Sequence, residues 1–384
     1  MKLIFPEGFY WGASTASYQV EGGIDNNDWA RAGREKLVPE AGVSSDHYHH
    51  FEEDFDIAKD LGHTAHRFSI EWSRIEPKEG EFDEKEIEHY REVFKALHKR
   101  NIRPFVTLWH FTLPLWLTDK GGVTAKEFPH YFARYGAYVV SKLGDACTDW
   151  ITINEPLVFA QSGWLRGVWP PFQRGNIPGF MSVQATLVKA HIEAYKKIKA
   201  ISKKHTVGIV KDNIYFHAHA NPLHKILVIF LRWFWNRRFL NKIHTHVDVI
   251  GLNYYFHTEF GGRTVYPKTD MGWDIYPEGI YHTLMELKRY EVPVYIAESG
   301  IADADDSHRA QFIKSHLRWC HKALEDGVDV RGYMYWSLLD NFEWVYGYKK
   351  RFGLVGIDYK TKERTVRPSA HVYRKICESN MLEL

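Results

Sequence analysis

The sequence predicts an α/β chain folded as a single (β/α)8 TIM barrel domain over residues 1–384, with its active site at the C-terminal ends of the strands. Three observations lead there. Short apolar or β-branched runs alternate with amphipathic segments, the pattern of parallel strands joined by crossover helices. The runs are apolar nearly throughout rather than at every second residue, as strands covered on both faces must be. Polar residues recur where the runs end, and that is where a barrel gathers its functional groups.

In chain order, strands are expected at residues 10–14, 65–70, 104–109, 150–154, 207–211, 247–253, 294–298 and 332–337. The helical patterns between and after them cover 51–61, 84–99, 126–143, 182–202, 226–241, 279–289 and 307–326, and a closing helix runs from 369 to about 378. At 384 residues two cores would be the first guess. No Pro/Gly/Ser-rich linker, low-complexity run or charge block divides the chain, and barrels of this type reach that length. A doubly wound open sheet is the structural alternative. It calls for a Gly-rich phosphate turn after an early strand, and the sequence has none there.

Charge and composition narrow the function classes. The 50 basic and 48 acidic residues are spread evenly and leave a net charge of +2, which gives no support to a nucleic-acid or anionic-membrane partner. The most hydrophobic stretch, 223–240, carries Lys225, Arg232, Arg237 and Arg238, which argues against a membrane span. Pro6, Glu7 and Gly8 cut short the first apolar run, and a cytoplasmic protein is expected. Cys147, Cys320 and Cys377 are too few and too scattered for a disulfide framework or a zinc site and are expected to be reduced thiols. No metal or other cofactor is expected. The histidines of HYHH at 47–50 point in different directions, and no carboxylate or Cys in sequence completes a set with His217 and His219. Trp233 and Trp235 are expected to pack a helix rather than bind a ligand. Aromatic residues make up 15% of the chain, which fits a site for sugar rings as well as it fits a large core.

Two acids each follow a hydrophobic strand: Glu155 in TINEP at 152–156 and Glu298 in YIAESG at 295–300. Asn154 and Glu155 end the fourth strand, Asn253 the sixth and Glu298 the seventh, while Trp336 sits near the end of the eighth. Strands four and seven lie roughly opposite one another in an eight-stranded barrel, so the two carboxyls can face each other. Such a pair suits glycosidic cleavage. One carboxyl protonates the leaving oxygen, and the other, ionised, stabilises or attacks the anomeric carbon.

Segments along nearly the whole chain carry a resemblance. They are FPEGFYWGASTASYQVEGG, DHYHHFEEDFDIAKDLG, HRFSIEWSRI, TLWHFTLPLWL, TINEP, GLNYY, AESG and YWSLLDNFEWVYGYKKRFGLVGIDY. In this order and spacing, the sequence resembles the family 1 glycoside hydrolases. The resemblance implies a retaining β-glycosidase with Glu155 as acid/base and Glu298 as nucleophile, and a small-molecule β-glycoside or oligosaccharide as substrate. It also implies that Arg67 and Tyr255 flank the nucleophile, that Asn154 bonds the sugar 2-hydroxyl, and that Asn253 orients the glycone and the nucleophile. By the same resemblance Gln19, His110, Glu343 and Trp344 surround the glycone and Trp336 is its stacking platform. Glu343 stands where the phospho-glycosidase branch usually carries a small hydroxyl residue, which argues for unphosphorylated sugars.

The sequence departs from that family in two ways. Ala297 and Ser299 flank the nucleophile in place of the usual Thr and Asn. The chain is also shorter than typical members, mostly between Glu155 and Glu298 and between Glu298 and Trp336. Shorter loops after the strands predict a shallower site, open on its aglycone side. Two other readings stand beside hydrolysis: a carbohydrate-binding protein that has lost catalysis, and a transglycosidase sharing the covalent intermediate.

Overall fold

The computed structural model describes residues 2–262 and 264–384. Its centre is a closed barrel of eight parallel strands: β1 (Tyr10–Ser14), β2 (Ala65–Ser69), β3 (Arg103–Trp109), β4 (Asp149–Asn154), β5 (Thr206–Asp212), β6 (Val249–Asn253), β7 (Val294–Ser299) and β8 (Val330–Trp336). Each strand pairs with the next in sequence, and Gly332 to Trp336 of β8 pair with Tyr10 to Ser14 of β1 to close the ring. The burial pattern explains the uninterrupted apolar runs. All of β2 and β4 and nearly all of β3 and β5 are buried, because helices cover the outside and side chains fill the inside.

Two small apolar clusters consist of strand residues alone and occupy the lumen: Ile151, Val210, Val249 and Ala297 in one, Ala65, Phe105 and Met334 in the other. The much larger cluster joins the outer faces of the strands to the helices. Glycine allows the close approach of neighbouring strands. A Cβ on Gly12 would sit 1.9 Å from the Ala65 carbonyl oxygen.

The helices follow local rules. In Glu84–Lys99, Ile87, Tyr90, Phe94 and Leu97 recur at helical spacing on the buried face, and the Asp83 side chain caps the first turn by accepting from Lys85 N. The helix Ile177–Ile201 begins where the Asn176 side chain accepts from Gly179 N at 2.8 Å. The segment expected as one helix at 226–241 begins earlier and is irregular. Helix Pro222–Leu231 passes through a wide π-turn, Arg232–Arg237, into helix Arg238–Ile243.

Several elements near the site do not come from the barrel repeat. Short helix Ser17–Val20 follows β1 and carries Gln19. A π-turn spans Gln161–Arg166 after β4. Strands Tyr215–Ala218 and His257–Phe260 pair in a small parallel sheet above β5 and β6. All three cysteines are free and buried. The histidines of 47–50 have separate acid partners: His47 meets Asp54, His49 meets Asp46 and His50 meets Glu53.

Candidate active site

Strand register assembles the centre of the site. Asp212 of β5 stands opposite Asn253 of β6, which stands opposite Glu298 of β7. Asn154 on β4 pairs with Val210 of β5, and the next residue, Glu155, donates its backbone N–H to the Val210 carbonyl at 3.0 Å. Glu155 takes a left-handed conformation, φ 42° and ψ 63°, before helix Pro156–Ala160 begins. A non-glycine residue pays for that backbone with about 1–3 kcal/mol of strain, a cost typical of functional positions. The turn lets Glu155 line a cavity of about 490 Å³ at the C-terminal mouth of the barrel, together with Glu298.

The two carboxyls have different surroundings. Arg67, from β2, donates from Nη1 to Glu298 Oε1, and Tyr255 OH donates to Glu298 Oε2 at 2.6 Å. Glu298 is thus an acceptor held from both oxygens, one of them against a fixed cation. Arg67 is itself fixed, with Nη2 donating to Asn154 Oδ1 at 2.7 Å and Nε to Thr107 Oγ1 at 3.1 Å. Burial above all, and next the charge of Glu298, push the Tyr255 phenol well above its usual range, so it remains a donor.

Glu155 forms no ion pair among the described residues, and Arg67 acts on it only as the weakest of its influences. Asn253 Nδ2 donates to Glu155 Oε1 at 2.7 Å and also lies 3.4 Å from Asn154 Oδ1. Burial first, then the charges of Asp212 and Glu298, raise the Glu155 carboxyl well above the ordinary carboxylate range. A polar chain therefore runs from Glu298 through Arg67, Asn154 and Asn253 to Glu155. One end is a carboxyl gripped by a guanidinium and a phenol, and the other is a carboxyl that burial and neighbouring acids bias toward its protonated form.

Around this chain stand the other residues singled out in the sequence. Gln19 Nε2 donates to the Phe342 carbonyl at 2.9 Å and reaches Glu343 Oε2 at 3.4 Å. Burial, then the charge of Glu298, push the Glu343 carboxyl up to about 8. Near neutrality it therefore carries a proton and can donate one hydrogen bond while accepting another.

His110 is held well below its usual range by burial and by Arg67, so its ring is neutral, and Asn154 Nδ2 lies 3.4 Å from Nε2. The His110 ring lies nearly parallel to those of Trp336 and Trp344, at centroid distances of 6.1 and 6.3 Å. Gln19 Oε1, His110 Nδ1 and Asn253 Oδ1 are buried without a partner among the described residues. Buried polar atoms normally have partners, and these three sit where a polyhydroxylated ligand would supply them. The cavity is lined by Gln19, His110, Asn154, Trp336, Glu343 and Trp344, all anticipated from the sequence.

The sequence reading missed Asp212, Lys211 and Trp235. Asp212 ends its strand as Asn154, Asn253 and Glu298 end theirs, and the strand-end rule finds it once β5 is extended by one residue to its true end. Burial first pushes its carboxyl up to about 6, with Lys211 opposing. Lys211 is fully buried, its ammonium brought down to about 8 by burial, and its Nζ donates to the Asp212 carbonyl at 3.0 Å. Trp235, expected only to pack, also donates from Nε1 to that carbonyl at 3.1 Å and lines the cavity. Trp233 lies against Phe230 and Phe234 and outside the cavity lining, though 45% exposed. His217 Nε2 meets His257 Nδ1 at 2.7 Å, and His219 meets Glu259. Among the described residues no group of His, Cys, Asp and Glu has the arrangement of a metal site.

Val158, Ile214, Phe216, Leu231, Phe256 and Trp273 also line the cavity, with Gln161, Ser162, Arg166 and Thr258 among them. With Glu155 8% and Glu298 4% exposed, the carboxyl pair lies deep despite the shortened chain.

Comparison with known proteins fits this geometry. The family model for glycosyl hydrolase family 1 matches residues 1–226 and 233–382. β-Glucosidase A of Thermotoga maritima is 36% identical over 441 aligned positions, spanning 99% of both chains. That alignment is longer than the present chain, so the relative carries residues that this chain lacks. A β-galactosidase of Sulfolobus acidocaldarius is 31% identical, with 98% of this chain and 96% of the relative covered. Among solved structures, a β-glycosidase from Pyrococcus horikoshii superposes with a TM-score of 0.94 at 38% identity, covering 100% of this chain and 97% of that one. The T. maritima β-glucosidase solved in complex with deoxynojirimycin gives 0.92 at 34%, covering 99% and 100%. With a matching family model over nearly all its length and relatives above 30% identity end to end, the chain belongs to glycosyl hydrolase family 1.

Proposed function

We propose that this glycoside hydrolase cleaves unphosphorylated β-D-glycosides, namely glucosides together with galactosides or fucosides, with retention of configuration through a covalent glycosyl-enzyme. The observation that carries this reading is the contrast between the two carboxyls: Glu298 is gripped by Arg67 and Tyr255, whereas Glu155 meets only the Asn253 amide, and burial raises its carboxyl.

In the first step a Glu298 oxygen attacks the anomeric carbon while Glu155 gives its proton to the departing glycosidic oxygen, so the aglycone leaves as a neutral alcohol. The new ester removes the charge of Glu298. One of the influences raising Glu155 disappears with it, which favours the ionised form needed next. Glu155 then takes a proton from water as the water oxygen attacks the anomeric carbon, and Glu298 leaves as a carboxylate. Two inversions give net retention. Asn154, fixed by Arg67, presents its amide to the sugar 2-hydroxyl, a contact that strengthens as positive charge develops.

Gln19, His110, Glu343 and Trp344 would hold the glycone hydroxyls, with Trp336 beneath the ring. A protonated Glu343 offers one donor and one acceptor to a pair of hydroxyls but no cation to a phosphate. The relatives named β-glucosidase and β-galactosidase support a glucoside or galactoside as glycone. Kinetics on a panel of 4-nitrophenyl glycosides test the proposal. The β-glucoside and β-galactoside should be turned over, their α-anomers should not, and the β-glucoside 6-phosphate should have a lower kcat/KM than the β-glucoside. A higher value for the phosphorylated substrate would overturn the assignment of Glu343.

A further inference from the structure

Helix Pro222–Leu231 reverses the usual placement of apolar residues. Its sequence PLHKILVIFL has only one buried side chain, Val228. Leu223 is 73% exposed, Ile226 64%, Ile229 68% and Phe230 51%, and Trp233 extends the same surface into the following turn. Scattered exposed apolar residues are ordinary, but a contiguous surface of this kind marks a place of contact. The family model matches up to residue 226 and resumes at 233, so the most apolar turn of this helix lies outside the family pattern.

Charge is segregated in the same segment. Residues 213–247 contain no Asp or Glu but include Lys225, Arg232, Arg237, Arg238 and Lys242. Arg232 and Arg237 turn inward to Glu286, and Arg238 to Gln184. Lys225 and Lys242 are exposed. The even balance of the whole chain conceals this local excess, so net charge alone shows no anionic partner.

We propose that this helix is a docking surface for an anionic lipid bilayer, lying in the interface with Leu223, Ile226, Ile229, Phe230 and Trp233 inserted among the acyl chains and lysines at the headgroups. A protruding apolar helix flanked by cations and lacking acids has the character of an interfacial helix. It does not span the membrane, since no described helix is long and apolar enough to cross one. A second copy of the chain is the less suitable occupant. A two-fold contact would set the lysines of this acid-free segment near their own counterparts. The position also has a consequence: Leu231 and Trp235, at the end of the same segment, line the cavity, so docking would bring its mouth beside the bilayer. The proposal stands independently of the reaction assigned to that cavity.

Cosedimentation with unilamellar vesicles tests it, using phosphatidylcholine alone and phosphatidylcholine mixed with phosphatidylglycerol. The wild-type chain should pellet with the anionic vesicles and far less with the neutral ones, and added salt should weaken the binding. Combined Ile226→Asp, Ile229→Asp and Phe230→Asp changes should reduce binding by about tenfold or more, because charged side chains resist insertion. Turnover of a water-soluble aryl glycoside should be unchanged in that variant, since none of the three side chains lines the cavity, which also confirms that it folds. Wild-type protein remaining in the supernatant with both vesicle types would overturn the proposal. So would a light-scattering mass of two chains that falls to one in the triple variant, because a second copy would then cover the helix.

Discussion

Glu155 and Glu298 are the same residue type at the ends of two strands of one barrel, and their neighbours give them different chemistry. Removing each should therefore fail differently. Glu298→Ala should abolish turnover, and azide should restore it with a product of inverted configuration, because the small anion enters the space left by the side chain and attacks the anomeric carbon directly. Substantial activity without azide would contradict the nucleophile assignment. Glu155→Gln should harm glycosides with poor leaving groups far more than activated aryl glycosides, whose departure needs little protonation. Equal losses for the two substrate classes would contradict an acid role. Asp212 supplies a third test. Its charge is the second cause, after burial, of the raised Glu155 carboxyl. Asp212→Asn removes that charge, so Glu155 should lose its proton at lower pH. The alkaline limb of the kcat/KM profile should move down by roughly one pH unit, the scale of a nearby charge. An unmoved limb would show that Asp212 does not act on Glu155.

At the level of elements, all eight barrel strands were legible, because burial on both faces makes each an uninterrupted apolar run. The helix Glu84–Lys99 was legible to the residue, since a caught N-cap and a regular apolar stripe coincide there. The small sheet of Tyr215–Ala218 and His257–Phe260 was not legible. Its strands are four residues long and only partly buried, and paired residues such as Tyr215 and His257 lie 42 positions apart. The π-turns were missed for a related reason, since they alter hydrogen-bond spacing without altering the apolar pattern. The catalytic strand ends depend on close backbone approach, which glycine provides. Gly300 directly follows the strand of Glu298, and a Cβ there would sit 1.7 Å from the Trp336 carbonyl oxygen. Gly300→Ala must therefore displace β7 or β8. Both Tm and kcat should fall, the activity loss exceeding the stability loss because Glu298 and Trp336 both lie at the junction. Full activity with an unchanged Tm would show that the junction absorbs the methyl group.

For the molecule as a whole, strand order explains how residues separated by more than a hundred positions meet, from Gln19 after β1 to Glu343 after β8. The site residues taken from the family resemblance lie around one cavity, while Asp212 and Trp235 were hidden by a strand cut one residue short and a tryptophan assigned to packing. The missing loop residues suggested a shallow site, but the carboxyl pair is well buried, and side chains from 214–235 and 256–273 add to the lining of the cavity. The unpartnered buried polar atoms belong to Gln19, His110 and Asn253, which the family resemblance assigns to the glycone, so glycosides differing only in aglycone should vary less in kcat/KM than those differing in glycone. A wider spread among aglycones than among glycones would count against that division of the cavity.

The central claim is that Glu298 becomes covalently attached to the sugar, and trapping tests it most directly. A 2-deoxy-2-fluoro-β-glucoside with an activated leaving group slows both steps by destabilising the oxocarbenium-like transition state, and slows hydrolysis of the ester most. The account predicts stoichiometric inactivation, with the mass of one fluorosugar found by peptide mass spectrometry on Glu298. A label on any other residue, or turnover without a label that releases the α-anomer first, would contradict it.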